Sequence, residues 1–309
     1  MDDVTYAATP RGEGLRHRIW RNRHAYVFLL PALLLLSTIK YYPFFTAFVE
    51  SLFDWNGINL NKFIGFGNYR EMLQDEKIRV AFANVFKISL ATIVINLTLP
   101  LLVATLVFRI KNVRLQNFLK IGFIVPLVVP MMVLILLWRW MYAGDFGLIN
   151  QILTNIGLAE WKHSWLGDPA TALWAIVFVG FPWVAGLPFL LYLAGLQNIS
   201  EDLYEVAQLD GAGPVRRFLS IEFPLISSQI KLVLMYSLIQ AFQVFEAPYA
   251  LTNGGPGITT YTPSLHIYDQ AFNYGRFGYA SSIGVAMFIV LMILTLAVQK
   301  LMKNTDKID

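Results

Sequence analysis

Six apolar stretches separated by polar segments set the plan of this chain, running approximately over 26–48, 83–108, 119–141, 171–193, 226–250 and 281–301. Each is long enough to span a membrane, since a helix needs roughly 20 mostly apolar residues to cross about 30 Å of hydrocarbon. None alternates apolar and polar residues as a half-buried strand would. In lipid every backbone N–H and C=O must be satisfied within its own segment, so the spans are predicted as helices. The expected fold class is all-α: a polytopic membrane protein with six transmembrane helices. One transmembrane domain is expected over 26–301, with an N-terminal segment over 1–25 and a tail over 302–309. The loops at 50–82 and 142–170 are too short for independent folds and read as caps on the outer face.

Composition agrees with this plan: 56% of residues are hydrophobic, 15% aromatic and only 14% charged, outside the range of soluble domains. The cations add orientation, because Lys and Arg flanks stay on the cytoplasmic side. Arg11, Arg16, Arg18, Arg21 and Arg23 precede the first span, and Arg109, Lys111, Arg114 and Lys120 follow the second. Arg216 and Arg217 lie between the fourth and fifth, and Lys300, Lys303 and Lys307 close the chain. With alternating spans these regions share one side, which places both termini in the cytoplasm of a multi-pass protein of the cell membrane. A cleaved signal peptide is not expected, because a long polar segment precedes a first span too long for an h-region. The net charge of +4 is this topological bias, so nucleic acid is not expected as a partner.

Most catalytic chemistry is missing. With no cysteine, thiol catalysis and Cys metal sites are excluded. His17, His24, His163 and His266 are scattered without metal-ligand spacing and read as surface or interfacial residues. No phosphate-binding GxxxxGK[ST] loop occurs, so the chain is not expected to hydrolyse ATP, and the lone GDFG at 144–147 has no kinase context.

Against that background the polar island EVAQLDGAGPVRRFLSIEFPLI, at 205–226, stands out between two apolar spans. It reads as two short helices around a break. Leu203, Val206, Ala207 and Leu209 form an apolar stripe, with Ser200 as N-cap and Asp202 favouring the first turn. Gly211 suits a left-handed helix end, and Gly213-Pro214 suits a turn with Pro opening the next helix. Physics leaves two readings open: a force-transmitting loop, or an amphipathic hairpin resting on the membrane surface.

Resemblance separates them. Glu205-Val206-Ala207, Asp210-Gly211-Ala212, then Phe218, Ile221 and Phe223-Pro224 resemble the EAA motif of ABC importer permeases, with Val206 and Phe223 as apolar departures. Leu251-Thr252-Asn253-Gly254-Gly255-Pro256 resembles the external turn of carbohydrate-uptake permeases. The AGLQNIS that ends the fourth span and the FGYASSIG that opens the last fit the same order, so the likeness covers nearly the whole chain. It points to the sugar-importer branch, related to the maltose and glycerol-3-phosphate permeases, and implies the type I ABC importer transmembrane fold.

The resemblance implies that the loop over 200–225 docks on a cytoplasmic ATP-binding subunit, whose closure turns the permease outward. Glu205, Ala207, Asp210, Gly211, Phe218 and Pro224 become ATPase-coupling candidates, with Phe218 offering an apolar side chain that a partner pocket could bury. Arg216 and Arg217 either face ATPase acids or are solvated positive-inside charges. A second homologous permease, two ATP-binding subunits and an extracytoplasmic sugar-binding protein are the implied partners, along with carbohydrate and membrane lipid. No cofactor is expected on this chain, and ATP and Mg belong to the partner ATPase subunits.

Substrate-path candidates come from polar groups inside spans, which are costly unless they face a cavity or a partner helix. Gln240, Gln243 and Glu246 recur at three-residue spacing on the fifth span, close to one helical stripe. The resemblance to the maltose permeases implies that this span and a neighbouring helix over 180–187 contribute to sugar binding; Trp183 there either stacks on a sugar ring or packs at the core or lipid interface. Arg139 lies near an outer span end, where it can snorkel. The absence of an intramembrane cation cluster favours a neutral di- or oligosaccharide. The turn Asn253, Gly254, Gly255 and Pro256 is either a contact at the outer mouth or a plain interhelical turn. Import of glycerol-3-phosphate or another small polyol is the alternative within the class, and an ion-coupled secondary transporter the alternative outside it.

Overall fold

The computed structural model describes residue 20 and residues 22–302. Residues 1–19 and 21 of the N-terminal segment, including His17, Arg11, Arg16, Arg18 and Arg21, lie outside the described residues, as do Lys303, Lys307 and the rest of the tail from 303. The chain divides into two units, Met1–Val49 and Glu50–Asp309.

Helix α1, Arg23–Glu50, accounts for the predicted first span, and no residue in it is buried. Pro31 lies within it, and a π-helical turn at Ser37–Tyr41 lets it continue.

The second unit opens with a hairpin of β1, Phe53–Trp55, and β2, Leu60–Phe63, antiparallel with Asp54 opposite Lys62. Helix α2, Gly67–Gln74, follows. Its Asn68 donates to the carbonyls of Ser51 at 2.8 Å and Phe53 at 3.0 Å, fixing the hairpin to the helix. Helix α3, Glu76–Phe108, is the longest element; Asp75 caps it by accepting from the Lys77 N–H at 2.8 Å. Around α3 the apolar residues assemble into the core.

Three predicted spans are not continuous helices. The third consists of α4, Val113–Ile124, a 3-10 turn at Val125–Val128, and α5, Met131–Met141, with a bend of 92°. Pro130 causes it, because the ring disfavours helical backbone at Val129, which is extended at ψ 123. After α6, Leu148–Asn155, the fourth is split into α7, Ala172–Phe178, and α8, Leu187–Gln197. The residues between are Gly180 at φ +87, Pro182, Trp183 at φ +52 and Gly186 at φ +110, none of which continues a right-handed helix. The helix expected over 180–187 is therefore a break.

Helices α9, Glu201–Leu209, and α10, Pro214–Leu225, form the pair that the polar island encodes, and α10 meets α11, Ser227–Phe242, at 69°. The fifth span then breaks again before α12, Glu246–Thr252. Pro248 has no N–H for the carbonyl of Val244, which instead accepts from the Thr262 hydroxyl at 3.1 Å. Helix α13, Pro263–Tyr268, and α14, Phe277–Leu301, complete the chain.

Among the described residues, α1, α3 and α14 are each long and apolar enough to cross a membrane alone, and the bent pairs α4–α5 and α10–α11 raise the number to five. The six apolar stretches are all present, but prolines and left-handed glycines interrupt three of them. The main core joins α3 (Leu101, Ala104, Val107), α8 (Phe189, Tyr192, Leu193, Leu196) and the start of α11 (Ile226, Val233).

Candidate functional site

The polar island folds as the residue types dictate. The Ser200 hydroxyl accepts from the Asp202 N–H at 3.3 Å and opens α9. At the other end the Gly211 N–H reaches the Gln208 carbonyl at 3.1 Å and the Ala212 N–H reaches Ala207 at 2.8 Å. This Schellman closure needs a left-handed residue, and Gly211 supplies it at φ +70. Gly213 then caps α10, with Pro214 in its first turn.

Within this loop the candidates separate. Glu205, Asp210 and Gly211 are exposed, as required of groups that meet a partner, whereas Ala207 is buried and Pro224 half-buried. Phe218 is half-buried: it packs against the α3–α8–α11 core, lies 6.0 Å from the Phe223 ring and opens the π-helical turn at Phe218–Glu222. The most exposed apolar groups of the loop are Leu209, 88% accessible, then Val215, Leu219 and Val206. The predicted stripe thus faces outward, save for Ala207.

Sequence reasoning missed the buried polar groups beneath the loop. Arg109, the C-cap of α3, reaches the Glu222 carboxylate at 2.9 and 3.0 Å and the Pro214 carbonyl at 3.1 Å. In the sequence Arg109 reads only as a topological charge, and the lone acid in FLSIEFPLI is the available signal for Glu222. Tyr204 of α9 packs on Phe108 at 5.9 Å, and burial, with the charge of Glu222 nearby, pushes its hydroxyl up to about 12.

The path candidates do not form one stripe. Gln240 lies on α11, Gln243 caps its end, and Glu246 opens α12 after the break. All three are exposed in this chain. Trp183 sits in the break between α7 and α8, edge-on to Phe178 at 4.8 Å and Phe181 at 5.0 Å, with its indole N–H donated to Val179 at 3.2 Å. Arg139 is exposed but does not simply snorkel: it donates to the Ala250 carbonyl at 3.1 Å.

The turn at 253–257 is closed on itself. Asn253 is left-handed at φ +49 and Gly254 at φ +83, and the Thr260 hydroxyl donates to Gly255 at 2.8 Å. Gly254 is buried against Tyr261, which leaves Asn253 and Gly257 as its exposed tips.

His266 is not a surface residue: it is 1% exposed, between Asp75 at 3.0 Å and the Tyr261 hydroxyl at 3.3 Å. Both ring nitrogens therefore have partners, which allows an imidazole in the interior. Burial pushes it below its ordinary value, against the pull of Asp75. Burial also opposes ionisation of Asp75, but hydrogen bonds from Tyr279 and the Lys77 N–H, with the attraction of His266, hold its carboxyl below the usual range. Among the described residues no cluster of three His, Asp or Glu could hold a metal ion.

Interrupted apolar helices packed along the long α3, with an exposed helix pair between two of them, are the arrangement of a polytopic membrane protein, and the matching family is that of a permease component of the inner membrane. The family model described as "Binding-protein-dependent transport system inner membrane component" matches residues 96–304, and the chain belongs to that family of ABC importer permeases. It is similar to the probable ABC transporter permease protein YurN of Bacillus subtilis, 36% identical over 281 residues, 90% of this chain and 96% of that protein. The diacetylchitobiose uptake system permease protein NgcF of Streptomyces coelicolor is 33% identical over 261 residues, 81% of this chain and 74% of that protein. In fold it matches, at a TM-score of 0.84 and 22% identity, a chain of a bacterial ABC transporter that imports the acidic polysaccharide alginate, covering 94% of this chain and 99% of that one.

Proposed function

We propose that this chain forms half of the translocation pathway of an ATP-driven, binding-protein-dependent importer of a di- or oligosaccharide. Its relatives support the substrate class: besides the diacetylchitobiose permease they include a trehalose/maltose transport permease of Thermococcus litoralis and an arabinooligosaccharide permease of Bacillus subtilis. A second homologous permease completes the pore, two ATP-binding subunits hold ATP and Mg, and an extracytoplasmic binding protein delivers the sugar. Both termini and the loop over 200–225 are cytoplasmic.

The observation that carries this reading is the α9–α10 pair, capped at both ends, seated on the α3–α8–α11 core and exposing Glu205, Leu209, Asp210 and Gly211. A partner pressing there acts directly on membrane helices. The breaks at 179–186 and 243–245 support a path nearby, because non-helical backbone at membrane depth is tolerated only inside protein or beside a water-filled cavity. Gln243 and Trp183 lie in those breaks and Gln240 and Glu246 flank one of them; together they supply the amides, carboxylate and ring face that a sugar needs.

The test is ATP-dependent uptake by the assembled complex in proteoliposomes, with its binding protein and a panel of sugars. Uptake of at least one oligosaccharide that stops without ATP is expected. Gradient-driven uptake by this chain alone would overturn the reading, and transport restricted to a phosphoester would overturn the substrate class.

A further inference from the structure

We propose that Arg109 and Glu222 form a positioning clamp that passes displacement of the α9–α10 loop to α3, a role that rests on the coupling function proposed for that loop. The two residues are 113 positions apart and join the end of the longest membrane helix to the end of the cytoplasmic pair. A single guanidinium nitrogen, Nη2, reaches both Glu222 oxygens at 2.9 and 3.0 Å and the Pro214 carbonyl at 3.1 Å. Pro214 opens α10 and Glu222 ends its π-helical turn, so one nitrogen ties both ends of this segment to α3.

Burial argues that the clamp is a device of geometry. The Glu222 side chain is 1% exposed and Arg109 27% exposed, so the anion is dry and the cation half wet. A buried ion pair adds little net stability compared with apolar packing, and Phe218 beside it already supplies apolar packing to the same core. What the pair adds is direction. Apolar surfaces slide over one another, whereas separating Glu222 from Arg109 leaves a buried charge unpaired, so α10 and the end of α3 move together. From α3 the displacement reaches α8 and α11, packed along it, and with them Gln240 and the break before α8.

The experiment uses the complete complex in proteoliposomes with its binding protein and sugar. Co-purified ATPase, ATP hydrolysis and sugar transported per ATP are measured for Glu222→Gln, Arg109→Lys, the double variant Arg109→Met with Glu222→Leu, and the loop variants Glu205→Ala and Gly211→Val. The double variant removes the pair without orphaning a charge, so it reports even where Glu222→Gln folds poorly. The clamp predicts that Glu222→Gln and the double variant retain the ATPase and hydrolyse ATP, but move roughly tenfold less sugar per ATP. Arg109→Lys keeps part of the coupling, because all three contacts converge on one nitrogen. Unchanged sugar per ATP in the double variant overturns the clamp, even if its melting temperature drops, since a merely structural pair would behave that way. If the loop variants lose coupling while the double variant keeps it, only the clamp fails; if the loop variants also leave coupling intact, the coupling function itself fails.

Discussion

The side-chain amide of Asn96 donates to the hydroxyl of Ser237 at 2.9 Å, joining α3 to α11 in the middle of the membrane helices. The Asn96 carbonyl accepts from the buried Tyr192 hydroxyl at 3.2 Å, so one residue links α3 to both α8 and α11. Ser237 is fully buried, and Ser237→Ala leaves the amide without its acceptor where water is scarce. Interhelical hydrogen bonds of this kind contribute about 1 kcal/mol, with a ceiling near 2. The expected result is a modest fall in the detergent-solubilised melting temperature, with Asn96→Leu falling further. An unchanged melt for both would mean that the bond contributes nothing.

Gly278, at the start of α14, lies where a Cβ would overlap the carbonyl oxygen of Phe53 in the hairpin. The obstacle is backbone, so it cannot rotate aside, and Gly278→Ala must push the hairpin off the helix. Overpacking of this sort costs about 1–3 kcal/mol. Proteolysis at the hairpin should accelerate in this variant, while Gly284→Ala, whose nearest atom is 4.0 Å away, should leave it unaltered.

The hydrophobic pattern revealed where the apolar stretches lie and set the loop at 200–225 apart as a polar island between two of them. Local chemistry was equally readable: Ser200, Gly211 and Pro214 adopt the cap, left-handed end and helix start that their side chains favour. Periodicity failed at the breaks, because hydropathy continues through Gly180–Gly186 and Gln243–Phe245 although the backbone does not. The prolines at 130, 182 and 248 were the signal, and each removes a backbone donor that apolar averaging ignores. Burial was the other failure. Phe218 reads as an exposed anchor but is half-buried against the core, and His266 reads as a surface residue until Asp75, 191 positions away, provides its partner.

A Cβ on Gly211 would meet nothing within 4 Å, so the cost of replacing this glycine lies in its backbone alone, held at φ +70. Asn tolerates that conformation and β-branched residues do not, the difference being about 1–2 kcal/mol. Gly211→Asn is therefore expected to retain uptake near the native rate and Gly211→Val to lose most of it with the complex still assembled. Equal loss in both would mean that the ATPase contacts the glycine surface itself.

The Asp75–His266 pair makes stability depend on pH in a defined direction. In the folded chain His266 titrates below its ordinary value because it is buried, so between the folded and unfolded values the unfolded state binds more protons. Its stabilising contribution is therefore complete above the unfolded value of about 6.5 and declines as the pH falls below it. Asp75, also held low, has the same sign, but its contribution declines only below about 3.9, where the free carboxyl begins to protonate. A scan from pH 7.5 to 5.5 lies above the Asp75 range, and comparison with His266→Gln separates this histidine from the other groups that titrate there. The melting temperature should fall across it, at roughly 2–4 °C per kcal/mol lost for a unit of this size. His266→Gln cannot charge, so its melt should start lower at pH 7.5, having lost the bond to Asp75, and fall less than that of the wild type across the scan. A wild-type melt that rose on acidification would show that the imidazolium, paired with Asp75, is the form the fold prefers.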